Sequence, residues 1–178
     1  MAASLRCFSA QLIKRTLRRN QEKQKRSAPQ RVWRYSLLLL WMFFISFASG
    51  SEFSALNTST VVRPLILWFF PNISDDRLAA IHFLIRKSAH FTEYGVLAFL
   101  ASRAFTTSSH AFIRRNWFQL GVLLVVCYSL LDEFHQSFVP SRTASLYDSG
   151  IDMAGGVTVL LIFKLYYKRA KNREVRGY

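Results

Sequence analysis

Apolar residues fall along this chain in blocks rather than singly. Four tracts stand out, at residues 35–49, 88–101, 117–131 and 151–167, and basic segments lie outside them. A helix needs roughly 17–25 residues to cross a bilayer. The tracts approach that length, so the pattern predicts an all-α fold: an integral membrane bundle of four transmembrane helices. The first tract is short, although 32–48 reaches the lower limit, and Trp33 and Tyr35 stand at its start like an interfacial aromatic belt. A long signal peptide is the rival reading, because Ser46-Phe47-Ala48 has the small residues of a cleavage site. The length of the basic region ahead of it argues instead for a retained span.

Between the first two spans, residues 50–60 read as a Ser/Thr/Asn-rich loop. Residues 61–70 read as a short interfacial apolar segment, too short to span and interrupted by Pro64. Ser74-Asp75-Asp76 marks a helix start, with an N-cap serine and acids in the first turn. That helix is expected to run to about Phe105, its second half forming the second span. A polar loop at 106–116 leads to the third span at 117–134. A turn holding Pro140 and Arg142 leads to the fourth at 147–167, where Tyr166 and Tyr167 mark the far interface. The expected organisation is a flexible basic leader over 1–34, a membrane domain over 35–167 and a basic tail over 168–178.

Charge sets the orientation. The net charge is +14 and 51% of residues are hydrophobic. A soluble domain this basic would suggest nucleic acid, but no recognition motif accompanies the charge, so no nucleic-acid partner is expected. Ten Lys and Arg lie in the leader, three over 103–116 and six from Lys164 onward. The opposite side holds Arg63, Arg77, Arg86, Lys87 and Arg142. The positive-inside rule then places both termini in the cytoplasm, with the lipid bilayer as the surrounding partner. Leu5, Phe8, Leu12, Ile13 and Leu17 have near-helical spacing, so part of the leader is suited to the inner membrane surface; a basic tail that only fixes topology is an equal reading. Cys7 and Cys127 fall at different levels and are not expected to pair; Cys127 reads as a small core residue. No C-x-x-C motif suggests a zinc ribbon.

This topology gathers polar residues at one level, toward the outer leaflet. The second span brings Arg86, Lys87, His90, Glu93 and Tyr94, the third Asp132, Glu133, His135 and Gln136, and the fourth Asp148 and Asp152. Lys87, His90 and Tyr94 share a helix face at i, i+3, i+7. Asp148, Asp152 and Gly155 share another at i, i+4, i+7, and Gly155-Gly156 allows a neighbouring helix to come close. Ionisable groups at such depth cost roughly 2.5–3.5 kcal/mol each on insertion scales, so they are expected to meet in one site. Each has a plain structural reading, and together they fit either a functional site or a hydrogen-bonded network that holds the bundle.

The pieces Leu40-Trp41-Met42, Phe47-Ala48-Ser49 and 86–94 (RKSAHFTEY) precede the most specific run, 132–138 (DEFHQSF) followed by Pro140-Ser141-Arg142, Asp148 and Gly155-Gly156. Over about residues 35–167 the chain thereby resembles the VanZ-like family of small bacterial membrane proteins. It departs from the family at Ser141, where Gly is common, and at Asp152, where Asn is common and a carboxylate adds charge. The resemblance implies a multi-pass protein of the bacterial cell membrane and envelope, connected with susceptibility to glycopeptide antibiotics. It does not imply a reaction.

Three functions fit these residues. In the first, the protein binds a lipid-linked or cell-wall ligand at the outer leaflet. Arg86, Lys87 and Arg142 hold its phosphate or carboxylate, while Tyr94, Gln136, Asp148 and Asp152 complete the binding set. In the second, it is a membrane enzyme acting on a phospholipid or polyprenyl-phosphate headgroup. The catalytic candidates are then His90, Glu93, Asp132, Glu133 and His135, with metal assistance through the aspartates. The third, an ion-coupled transporter using Glu93, requires an oligomer, because four short spans leave little room for alternating access. The residues name neither a resident metal nor a cofactor. The topology is directly testable: in a Cys7→Ser/Cys127→Ser background, Ser141→Cys is expected to react with an impermeant thiol reagent added from outside. Labelling only from the cytoplasm inverts the bundle.

Overall fold

The computed structural model describes residues 29–50, 55–140 and 145–176, without side-chain detail at 55–59, 61, 171 and 173–176. Leader residues 1–28, with Cys7, and loop residues Ser141 and Arg142 lie outside the described residues. The described chain is helical, with no strand. In order, α1 is Pro29–Ala48, α2 Ala55–Phe69, α3 Asp75–Thr106, α4 Ala111–Arg115, α5 Trp117–Gln136 and α6 Leu146–Arg176.

The boundaries follow local chemistry. Pro29 opens α1, where its missing N–H costs no hydrogen bond. Ser74 precedes α3 in extended conformation, but its hydroxyl makes no cap bond. Asp75 and Asp76 in the first turn complement the helix dipole. Two expectations need correction. Part of the expected 50–60 loop is already helical, since α2 starts at Ala55. A short helix, α4, occupies the 106–116 loop. Helix α6 continues past the fourth tract to Arg176, because Lys and Arg are good helix formers.

The pairings fix the direction of each helix. Lys87 meets Asp148 and His90 meets Asp152; Phe99 stacks edge-on to Phe163 at 6.1 Å between centroids. Residue numbers rise together, so α3 and α6 are parallel. Gly121 faces Leu160 and Val125 faces Gly156, so α5 runs antiparallel to α6. Helix α1 runs with α5: Tyr128 donates its hydroxyl hydrogen bond to the Met42 carbonyl, and Ser49 meets Asp132. The Trp41 indole N–H donates to the Glu93 carbonyl at 3.0 Å, tying α1 to α3. Two helices therefore run one way and two the other, and α3 packs on both α5 and α6.

Among the described residues, three segments are long and apolar enough to cross a membrane: α1, α5 and Leu146–Ala170 of α6. The fourth expected span, α3, has the length, about 48 Å at 1.5 Å per residue, but not the hydropathy. Part of its polar content faces the interior: His90, Tyr94 and Ser102 are buried against neighbouring helices, while Ser88, Thr92 and Arg103 are exposed. The molecule is turned inside out relative to a soluble bundle. Asp132, Glu133, Asp148, Asp152 and His90 are buried, while Leu39, Leu40, Phe43, Leu123, Leu131, Phe134, Leu161 and Ile162 are exposed. Such an apolar exterior suits hydrocarbon. Cys127, expected in the core, is exposed on α5; with lipid outside, a small apolar residue has no reason to face inward.

The apolar half of the core joins Leu38 and Ile45 of α1, Leu97, Ala98 and Ala101 of α3, Val125 of α5 and Leu160 of α6. Its closest approach is at Gly155, where an added Cβ would collide with the backbone carbonyl of Phe91. At Gly150 an added Cβ meets nothing within 4 Å. Gly155→Ala is expected to destabilise the purified protein by about 1–3 kcal/mol through overpacking. Gly150→Ala is expected to stabilise it by up to about 1 kcal/mol through helix propensity. Thermal unfolding in detergent checks both, and equal effects at the two glycines contradict the close approach.

Candidate functional site

Three helix ends build a buried polar cluster. Asp132, Glu133 and Gln136 at the end of α5 turn inward, with Gln136 only 1% exposed. Asp132 is held on both oxygens, by the Ser49 hydroxyl and by the Gln136 side-chain amide at 3.0 Å. It clasps the end of α1 to α5. Glu133 accepts the Ser145 backbone N–H at 2.7 Å through Oε2, which ties the start of α6 to α5.

The seam between α3 and α6 carries the ion pairs. Lys87 is paired with Asp148, and its ammonium also lies over the rings of Phe83 and Tyr147, at 5.1 and 5.8 Å from their centroids. One turn deeper, Asp152 is completely buried and its Oδ1 lies 3.3 Å from His90 Nδ1. That contact lacks the alignment of a hydrogen bond, leaving both Asp152 oxygens and Glu133 Oε1 without a hydrogen-bond donor among the described residues. The contact is thus electrostatic first.

Asp132, Glu133, Asp148 and Asp152 lie within electrostatic range of one another, against Lys87 and a protonatable His90. Buried charge without compensation is expensive. Among the described residues the cluster holds more acceptors than donors.

His90 also borders a cavity of about 220 Å³ between α1, α2 and α3. Phe44, Ala48, Val62, Ile85 and Ala89 form its apolar wall; Ser49, His82, Arg86, His90 and Glu93 supply its polar groups. The volume is below the roughly 300–1,000 Å³ of a drug-sized pocket. It has room for a headgroup rather than a whole glycopeptide.

The structure brings together Lys87, His90, Asp132, Glu133, Gln136, Asp148 and Asp152, and places Arg86 and Glu93 on the adjoining cavity. Tyr94 is fully buried beneath them and donates to the Tyr128 carbonyl at 3.3 Å, a packing role. His135 is not brought in: it is exposed, and its ring has no polar partner among the described residues. Between Asp132 and Gln136 on the same helix end, it points outward. Sequence reasoning missed Ser49, which polarises Asp132, and His82. The stripe His82, Arg86, Ala89, Glu93 at i, i+4, i+7, i+11 would have found the second. Among the described residues, no three His, Cys, Asp or Glu are arranged to hold a metal ion.

A family model described as VanZ/LLP1 matches residues 32–167, well over half of the chain. The chain belongs to the VanZ/LLP1 family. No curated protein and no solved structure matches it. The matched region runs from α1 to Tyr167 of α6, so the VanZ/LLP1 domain contains the whole cluster and cavity. The ion pair at its centre is open to a stability test. Lys87→Met, which strands Asp148, is expected to cost about 3 kcal/mol or more. Lys87→Met/Asp148→Leu is expected to recover most of that, since replacing both partners removes the uncompensated charge. Additive losses in thermal unfolding would show that the pair is not coupled.

Proposed function

We propose that this VanZ/LLP1 protein binds the headgroup of a lipid-linked or cell-wall ligand at the outer leaflet of a bacterial cell membrane. In this reading the bundle has four spans with both termini in the cytoplasm. The buried packing of Leu38 and Ile45 supports α1 as a retained span, and the excess of Lys and Arg at the other end of the bundle supports the orientation. The observation that carries the proposal is the position of His90. It is shared between an acceptor-rich buried cluster and a cavity whose wall is half apolar. Arg86 offers a charge-assisted contact to a phosphate or carboxylate, Glu93 and His90 receive hydroxyls or amines, and the apolar wall accepts the first carbons of a lipid tail. Occupancy of such a ligand alters its availability to glycopeptide antibiotics.

One observation favours a second reading, headgroup chemistry. His90 directs Nδ1 at a buried carboxylate, as an oriented general acid/base does, which leaves Nε2 for the cavity. The two readings separate in one experiment. Purified protein in nanodiscs is incubated with a polyprenyl-diphosphate-linked cell-wall precursor, and bound and altered headgroups are both quantified. Stoichiometric retention with an unchanged headgroup is expected. Arg86→Ala is expected to weaken retention about tenfold or more, the loss of a hydrogen bond to a charged group, with His135→Ala nearly neutral. Turnover that disappears in His90→Gln would instead establish an enzyme.

A further inference from the structure

The end of the bundle away from the acidic cluster carries a different site. Two apolar clefts open there, one of about 530 Å³ between α3 and α6 and one of about 280 Å³ between α1 and α3. Arg34 and Arg103 line both clefts, so the two guanidinium groups stand where the clefts meet. The Arg103 guanidinium lies over the Phe99 ring, 5.7 Å from its centroid, which holds it at the mouth of the larger cleft.

The chemistry of the larger cleft is graded with depth. Phe99, Val159, Ile162 and Phe163 line its deep part; Thr106, Thr107 and Tyr166 line the part nearer the helix ends. From Val159 to Ala170 is about 16 Å along α6 at 1.5 Å per residue, close to half of a ~30 Å hydrocarbon core. In the smaller cleft, Leu37 and Leu100 lie deep and Trp33 and Gln30 shallow. Every carboxylate whose side chain is described lies toward the other end: Asp75, Asp76, Glu93, Asp132, Glu133, Asp148 and Asp152. The nearest in sequence to Arg103, Glu93, is ten residues away on the same helix, about 15 Å.

We propose that this pair of clefts is a binding site for an anionic diacyl phospholipid. Its phosphate is held between Arg34 and Arg103, one acyl chain lies along the α3–α6 seam and the other beside Leu37 and Leu100. Charge complementarity selects the occupant: two guanidiniums with no carboxylate nearby among the described side chains favour an anionic headgroup, and basic recesses between membrane helices hold such headgroups. Depth-graded clefts on both sides of the charge fit two tails rather than a free anion. The site is independent of the His90 cavity.

The test is native mass spectrometry of the full chain in detergent, titrated with phosphatidylglycerol or phosphatidylcholine of identical chains. One tightly bound phosphatidylglycerol is expected, preferred about tenfold or more over phosphatidylcholine and not displaced by millimolar inorganic phosphate. Arg34→Gln/Arg103→Gln is expected to abolish the preference while leaving lipid-free thermal unfolding unchanged. Arg115→Gln/Lys168→Gln removes the same charge from the same end outside the clefts and is expected to keep the preference. Equal binding of the two lipids, displacement by phosphate, or an equal loss in both double variants overturns the site.

Discussion

The close approach of α6 to α3 at Gly155 is the constraint on which the polar site depends. With no side chain there, α6 lies against the Phe91 carbonyl. The His90–Asp152 contact lies beside that crossing, and the Lys87–Asp148 pair lies one turn beyond it. Because the two helices are parallel, the same register persists down to Phe99 and Phe163. The apolar half of the seam supplies the net attraction. Buried ion pairs gain little against the cost of dehydrating them, so the carboxylates are held in place by packing that they do not themselves provide.

Within the cluster the acids have different tasks. Asp132 has donors on both oxygens and joins the end of α1 to α5. Asp148 is matched by Lys87. Among the described residues, Asp152 and one oxygen of Glu133 have no hydrogen-bond donor, so these groups, with His90, are where a proton or a further donor would be compensated. The opposite end reverses the polarity: arginines on apolar clefts, without carboxylates among the described side chains. The bundle therefore has two chemically distinct ends.

Much of this was legible in the sequence where a residue's environment is polar. Asp75 and Asp76 located the start of α3, and Asp148, Asp152 and Gly155 at helical spacing identified the face of α6 that meets it. What stayed illegible concerns residues for which inside and outside are alike. In hydrocarbon an apolar side chain is equally at home in the core or against lipid, so Cys127 carried no signal of its outward position. His135 failed for a related reason. At a helix end crowded with polar residues, one step of 100° separates a buried Gln136 from an exposed histidine, and composition does not choose between them. The lower hydropathy of α3 has a packing reason: this helix contacts α2, α4, α5 and α6 and shelters polar residues against them.

The cavity beside His90 also bears on whether the protein holds a ligand or transforms it. A histidine whose Nδ1 lies against a carboxylate leaves Nε2 to serve as a hydrogen-bond partner or as a base. What stands opposite then decides. The cavity's single hydroxyl among its lining residues is Ser49, and that hydroxyl is already committed to Asp132. Arg86 contributes charge but no nucleophile. Among the described lining residues the one hydroxyl is already committed, so group transfer in this cavity requires water activated by His90 rather than a side-chain nucleophile. That lining supports the proposed binding reading, in which Arg86 and the apolar wall meet the headgroup from several sides.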